Sequence, residues 1–397
     1  MTPENKNQVS LSPQHSLLVK TRCAGGQPVP EVKNNNFRSA LEDKLKILDN
    51  PYVGNGLDGL DEQIPFPSCD AEKPAKLLKL CPSYQPTPLV ELKALAAQSG
   101  VGGVFVKDER DRLGLGSFKA LGAAYVIACD AVATGGEDQG NSLKGVTYVT
   151  ASAGNHGLSV AGGASVFGAK AVVYLAETVP ESFAQRLRDK QAIVVRHGET
   201  YEESMQGALA AAAENGWQLL SDSSWSGYYD VPYRLMEGYL QLAVEAVEQM
   251  QQPASHVFLQ AGVGGLAGAV AALVRSKWGE AVKIIIVEPA SAPALHDSIK
   301  AGRPVVTSGP VSSMGRLDCK EPSLIALKGL ARDADYFVTI SDEDVESTLG
   351  VLAEQGLATT PSGGAGLAAL LMAKGHREDL QLDEQSRVLA FVTEGPE

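Results

Sequence analysis

The sequence predicts two three-layer α/β domains, with parallel or mixed sheets and a cleft between them. Three observations predict this fold. Short apolar runs alternate with stretches of helical length from about residue 104 onward. The runs are apolar throughout, as strands are when helices cover both faces of a parallel sheet. The 41 glycines gather at the ends of those runs, where strand-to-helix turns fall.

The elements follow in order. Residues up to about Pro65 are polar and broken by Pro, Gly and Asn, and they read as an extension with one helix, Ser39 to Leu48. Tyr84-Gln85-Pro86-Thr87-Pro88-Leu89 is extended and stiffened by proline. Val104-Phe105-Val106 is a strand and Ser117 to Asp130 a helix. Val146 to Thr150 and Lys170 to Leu175 are strands, with a helix from Gly157 to Phe167 between them. A helix from Ser182 to Asp189, a strand from Ala192 to Val195 and a helix from Tyr201 to Asn215 come next. Trp217 to Leu220 is a short strand before a long helix from about Tyr233 to Met250. His256 to Gln260 is a strand, followed by a glycine turn and a helix to Trp278. Ile284 to Val287, Tyr336 to Thr339 and Val388 to Val392 complete the strands.

Bulk chemistry narrows the function. A formal charge of -13 among 397 residues argues against nucleic acid and against an anionic membrane surface. It leaves room for an anionic ligand at a local positive site. The five cysteines are odd in number and none has C-x-x-C spacing, which fits a reducing cytosol without a disulfide framework or zinc site. No apolar run spans a bilayer, and no basic segment followed by an apolar core opens the chain.

Four stretches carry chemistry. In the first, Leu113-Gly114-Leu115-Gly116-Ser117-Phe118-Lys119-Ala120, Lys119 stands in the first turn of a helix. The positive helix end and the apolar neighbours both favour a neutral amine, the form that makes an imine. Taken alone, such a lysine is more often a surface residue. In the second, Ser152-Ala153-Gly154-Asn155-His156-Gly157, small residues bring backbone N–H groups near a ligand at a helix start. The Asn155 amide suits a ring substituent. An ordinary Asn-Gly turn and a structural His156 are the plain alternatives.

The third stretch, Gln260-Ala261-Gly262-Val263-Gly264-Gly265-Leu266-Ala267-Gly268, follows a strand and opens a helix, the context of a phosphate cradle. A dinucleotide fingerprint competes with it, because Glu288 lies about 20 residues further on. The spacing G-x-G-G-x-x-G counts against that rival. In the fourth, Thr393-Glu394-Gly395 ends the last strand, where a hydroxyl meets a ring nitrogen or merely stops the strand. An imine lysine, a phosphate cradle, an amide for a ring oxygen and a partner for a ring nitrogen are together what pyridoxal phosphate requires.

On these residues the chain resembles the fold type II pyridoxal-phosphate enzymes, the group of threonine dehydratase and the tryptophan synthase β chain. The resemblance runs from about Tyr84 to Gly395. Within the group it is most like the diaminopropionate ammonia-lyases. Four stretches carry that likeness: Ser221-Asp222-Ser223-Ser224-Trp225-Ser226-Gly227-Tyr228, Glu245 to Met250, His256 to Gly262, and Met314-Gly315-Arg316-Leu317-Asp318-Cys319-Lys320-Glu321-Pro322. The resemblance implies an N-terminal extension with first helices over 1–80 and a large cofactor-binding domain of 81–105 plus 225–397. A small domain covers 106–224.

The resemblance also implies the site. Lys119 carries the cofactor, with Phe118, Asn155, Gly262, Val263, Gly264, Gly265, Leu266 and Thr393 around it. Ser152, Ala153, Gly154 and His156 face the substrate. The freed Lys119 amine takes the Cα proton and Asp222 handles the leaving ammonia. The products are a 2-oxo acid and ammonia, made by a cytoplasmic homodimer. Two features depart from the ammonia-lyases and lean to serine or threonine dehydratases. Ala153 replaces an acid thought to act on the D-isomer, and Thr360-Pro361-Ser362-Gly363 resembles the dehydratase pattern.

Overall fold

A computed structural model describes residues 45–81, 83–135 and 139–396. Its strands form two sheets. The smaller holds β4 (Thr147–Ala151), β5 (Lys170–Leu175), β6 (Ile193–Arg196) and β7 (Gln218–Leu219), all parallel, in the order β6-β5-β4-β7. The larger runs β1-β10-β9-β8-β11-β3-β2. Its strands are β1 (Lys46–Asp49), β2 (Leu89–Glu91), β3 (Gly103–Asp108), β8 (His256–Gln260), β9 (Lys283–Pro289), β10 (Tyr336–Ile340) and β11 (Arg387–Val392). Its interior pairs are parallel, whereas β1 and β2 add to the two edges antiparallel.

Successive side chains in a strand face opposite ways, so each sheet makes two cores. In the small sheet Tyr148 and Val173 pack with α4 (Asn155–Val166) and α5 (Glu181–Asp189). Val149 and Val172 pack against α6 (Tyr201–Asn215). In the large sheet Val257, Leu259, Ile284 and Phe337 face α3 (Lys119–Ala133), α7 (Asp230–Gln249), α8 (Gly265–Trp278) and α10 (Leu324–Asp333). Phe258, Ile285 and Val338 face the other way, toward α2 (Lys93–Ser99), α11 (Asp342–Glu354) and α12 (Pro361–Met372). The remaining helices are α1 (Glu72–Leu78) and α9 (Ala294–Ala301). Every residue of β8 and of β10 is buried, which explains their continuous apolar runs.

Helix ends follow local chemistry. Thr200 and Glu203 form a reciprocal capping box at the start of α6, and Gly216 closes it in the left-handed region. Helix α3 packs against α4 on one side and α7 on the other, so it ties the helices of the two sheets together.

Several expectations are corrected. Of the helix expected over Ser39 to Leu48, residues 39–44 lie outside the described ones. Lys46 to Leu48 are instead strand, paired antiparallel with Phe337 to Thr339. The apolar spacing there serves an edge strand, and pairing with a remote partner overrides local propensity. The division between residues 105 and 106 falls inside β3, which continues to Asp108. Glu288 does not point toward a ligand as a ribose-binding acid would. Its carboxyl is buried and accepts the Leu295 and His296 N–H groups at 2.7 Å each, capping α9. Burial pushes it up to about 8, against the pull of those two bonds.

Candidate active site

The loop from β3 to α3 turns on Gly114 and Gly116, both at positive φ, and delivers Lys119 as the first residue of the helix. Its start is pinned. The Phe118 N–H donates to the Thr393 carbonyl at 3.1 Å, and the Lys119 N–H donates to Ser117 Oγ at 3.2 Å. Lys119 Nζ is ion-paired with the Asp222 carboxylate. Burial draws this ammonium down, but the charge and hydrogen bond of Asp222, with smaller contributions from Tyr239 and Cys319, outweigh it and hold Lys119 above its usual range. The expected neutral amine is therefore corrected: its counter-ion comes from a distant loop. Burial likewise raises Asp222, and Lys119, through its charge and its hydrogen bond and with His156 nearby, overcomes it and holds the carboxyl low. The Phe118 ring lies 5.6 Å from Nζ and tilts against Tyr239 at 5.0 Å.

Beyond β4, Ser152 Oγ accepts the N–H groups of Gly154 and Gly157, each at 3.2 Å, and so shapes the start of α4. A side chain at Gly157 would meet the Ser152 carbonyl at 2.8 Å, so the turn requires glycine there. Ala153 is exposed. Asn155 Nδ2 donates to Glu394 Oε2 at 2.5 Å. His156 Nε2 lies 2.8 Å from the Leu220 carbonyl, two residues before Asp222. Nε2 is thus the protonated nitrogen, and Nδ1 is buried without a partner. Burial holds the ring below its usual range.

The turn of Gly262, Val263 and Gly264 ends β8, and Gly265 and Leu266 begin α8. Gly264 has φ +96°, and no side chain caps the helix. A Cβ on Gly262 would stand 3.0 Å from Cys319 Sγ and 3.1 Å from the Arg316 carbonyl. One on Gly264 would stand 3.0 Å from both Ala326 Cβ and Leu295 Cδ1. Val263 is anchored by its carbonyl, which accepts the Ser323 N–H at 3.0 Å. The Asp222 carbonyl lies 3.9 Å from where a Cβ on Gly265 would be, so Asp222 joins the lysine to the glycine turn.

Thr393 is buried, with Gln260 Nε2 at 3.4 Å from its hydroxyl. Sequence reasoning passed over its neighbour. The Glu394 carboxylate contacts Asn155, Thr360 Oγ1 and, at 3.0 Å, Arg316 Nη1. A charged residue directly after a buried strand was the available signal. Tyr239 was also missed, since one tyrosine on a long apolar helix reads as core.

A lysine at a helix start, a bare helix N-terminus built of glycines, and buried polar atoms left unpartnered together fit a phosphorylated cofactor. Residues 80–394 match the family model of pyridoxal-phosphate dependent enzymes, and the chain belongs to that family. It is 34% identical over 350 residues to the diaminopropionate ammonia-lyase of Salmonella typhimurium, covering 80% of this chain and 87% of that one. To the diaminopropionate ammonia-lyase of Escherichia coli it is 30% identical over 377 residues, covering 89% and 94%. The crystal structure of the Escherichia coli enzyme in complex with D-serine is similar at a TM-score of 0.80, with 30% identity and the same coverage. No helix among the described residues is long and apolar enough to cross a membrane.

Proposed function

We propose that the chain is a pyridoxal-phosphate-dependent ammonia-lyase. It eliminates ammonia from 2,3-diaminopropionate, or a similar β-substituted amino acid, and yields a 2-oxo acid and ammonia. The observation that carries this reading is the Lys119–Asp222 pair set against the glycine turn before α8. Lys119, Phe118, Asn155, Thr393 and residues 262–266 would hold the cofactor. Ser152, Ala153 and Gly154 would border the substrate, with His156 supporting the Asp222 segment from behind. When bound, pyridoxal phosphate supplies the electron sink for the charge left at Cα.

The chain's own residues then account for the proton traffic. Asp222 holds one positive charge, that of Lys119. A substrate β-ammonium competes for the same carboxylate. Lys119, released from the cofactor by the substrate amine, would be freed as a neutral amine, and with Asp222 engaged by the β-ammonium no counter-ion would favour its charged form. That amine takes the Cα proton, while Asp222 orients the β-nitrogen as it leaves. The same reading divides the chain into a large cofactor lobe on the seven-stranded sheet and a small lobe on the four-stranded one, in a cytoplasmic homodimer.

A serine or threonine dehydratase is the second reading. It is favoured by Ala153 and by the Thr360-Pro361-Ser362-Gly363 segment, in which Thr360 caps α12. Release of 2-oxo acid from purified enzyme separates the two. Faster turnover of 2,3-diaminopropionate than of serine or threonine is expected, and the reverse order selects the dehydratase.

A further inference from the structure

Tyr239 lies on α7 with 1% of its surface exposed, and its hydroxyl has no hydrogen-bond partner among the described residues. Native interiors rarely leave such a group unmet unless a ligand meets it. Its surroundings show where it is aimed. One ring edge, Cε1, lies 2.7 Å from where a Cβ on Gly122 would be, one turn along α3 from Lys119. The other edge, Cε2, lies 3.7 Å from the corresponding point on Gly265, the first residue of α8. The hydroxyl, carried between those two edges, therefore lies beside the first residue of α8. Gly122 admits the ring this close because it has no side chain.

We infer that the Tyr239 hydroxyl is a ligand of the cofactor phosphate, the side-chain donor that completes the glycine cradle. This inference rests on the proposed placement of pyridoxal phosphate at residues 262–266. The helix end offers backbone N–H groups and a positive partial charge, and the hydroxyl adds one directed donor. Burial holds the phenol above its usual range, so it stays protonated and donates. The packed ring fixes the hydroxyl before the cofactor arrives, so little ordering is lost on binding.

The test uses the full-length chain, stripped of cofactor and titrated with pyridoxal phosphate and separately with pyridoxal. Wild type should prefer pyridoxal phosphate strongly. Equal binding of the two would overturn the cradle itself, independently of Tyr239. In Tyr239→Phe the affinity for pyridoxal phosphate should fall about 10- to 100-fold, the scale of one hydrogen bond to a charged group. Affinity for pyridoxal should not change. Unchanged phosphate preference, or equal losses for both compounds, overturns the inference. Thermal unfolding of the cofactor-free variant guards against misfolding. Removing an unpartnered hydroxyl should leave the midpoint at or above that of wild type, whereas a fall would mean that the hydroxyl has a protein partner.

Discussion

Lys107, on β3, and Lys119, at the start of α3, each pair with a carboxylate, yet their surroundings are opposite. Lys107 is fully buried and donates to the Thr87 carbonyl, Gln249 Oε1 and Glu245 Oε2 at 2.6, 2.9 and 2.7 Å. Those acceptors use all three of its protons. Arg112 joins the same cluster through Glu109 and Glu245, and its four charged side chains are buried. Lys119 is 22% exposed and meets one carboxylate, itself 19% exposed. Around it lie the unpartnered Tyr239 hydroxyl and His156 Nδ1. The charges of the first cluster are all paired, and it serves the fold. The second leaves hydrogen-bonding capacity unused, which marks a place for a ligand.

The largest expected effect breaks this comparison directly. Lys119→Ala should abolish turnover and the visible absorption of covalently held cofactor, while changing stability by less than about 1 kcal/mol, as for a partly exposed pair. Lys107→Ala should do the reverse. It leaves the buried Glu109–Arg112–Glu245 group one positive charge short and should cost about 3–5 kcal/mol in denaturant unfolding. Full activity in Lys119→Ala would remove the functional half of the contrast.

Handedness comes next. On the proposed reading Lys119 serves one face of the reacting centre, and the exposed Ala153 offers no proton acceptor for the other. The L-enantiomer of 2,3-diaminopropionate should be preferred by about 10²–10⁴ in kcat/KM, the scale of one positioned base. Comparable values for the pure enantiomers would sink the idea and direct attention to His156 Nδ1.

Asp222→Asn should lower kcat/KM on 2,3-diaminopropionate by about 10²-fold or more, and on serine by less. The amide keeps the shape but loses the charge that pairs with a β-ammonium. Equal losses on both substrates would make Asp222 only a counter-ion for Lys119.

The smallest effect tests burial away from the chemistry. Glu288 is raised from its usual 4.5 to about 8, so the folded chain keeps a proton that the unfolded chain releases. Stability from this group is full below about 4.5 and is lost as pH rises toward about 8. Glu288→Gln should flatten that part of the stability-against-pH curve, whatever constant offset the amide adds. An unchanged slope in urea unfolding would show that Glu288 titrates normally.

Legibility in the sequence tracked how local each feature is. Lys170–Leu175, Tyr201–Asn215 and His256–Gln260 match their expected limits, because apolar runs, a Thr–Glu cap and glycine stops lie within each segment. The edge strand Lys46–Asp49 was not legible, since its partner β10 is remote in sequence. Helix α12 was missed because Pro, Ser and three glycines among its first residues read as a turn, although the helix is buried. In the site, the glycine turn and Lys119 were visible as local patterns. The charge on Lys119 was not, because Asp222 lies 103 residues away. Glu394 and Tyr239 gain their meaning only from what folding places beside them.

The central claim is that Lys119 is the residue to which the cofactor is attached. Borohydride reduction of the holoenzyme, followed by peptide mass mapping, tests it most directly. The account predicts the added mass of reduced pyridoxal phosphate on the peptide containing Lys119. The same mass on a different lysine, or on none, would contradict it.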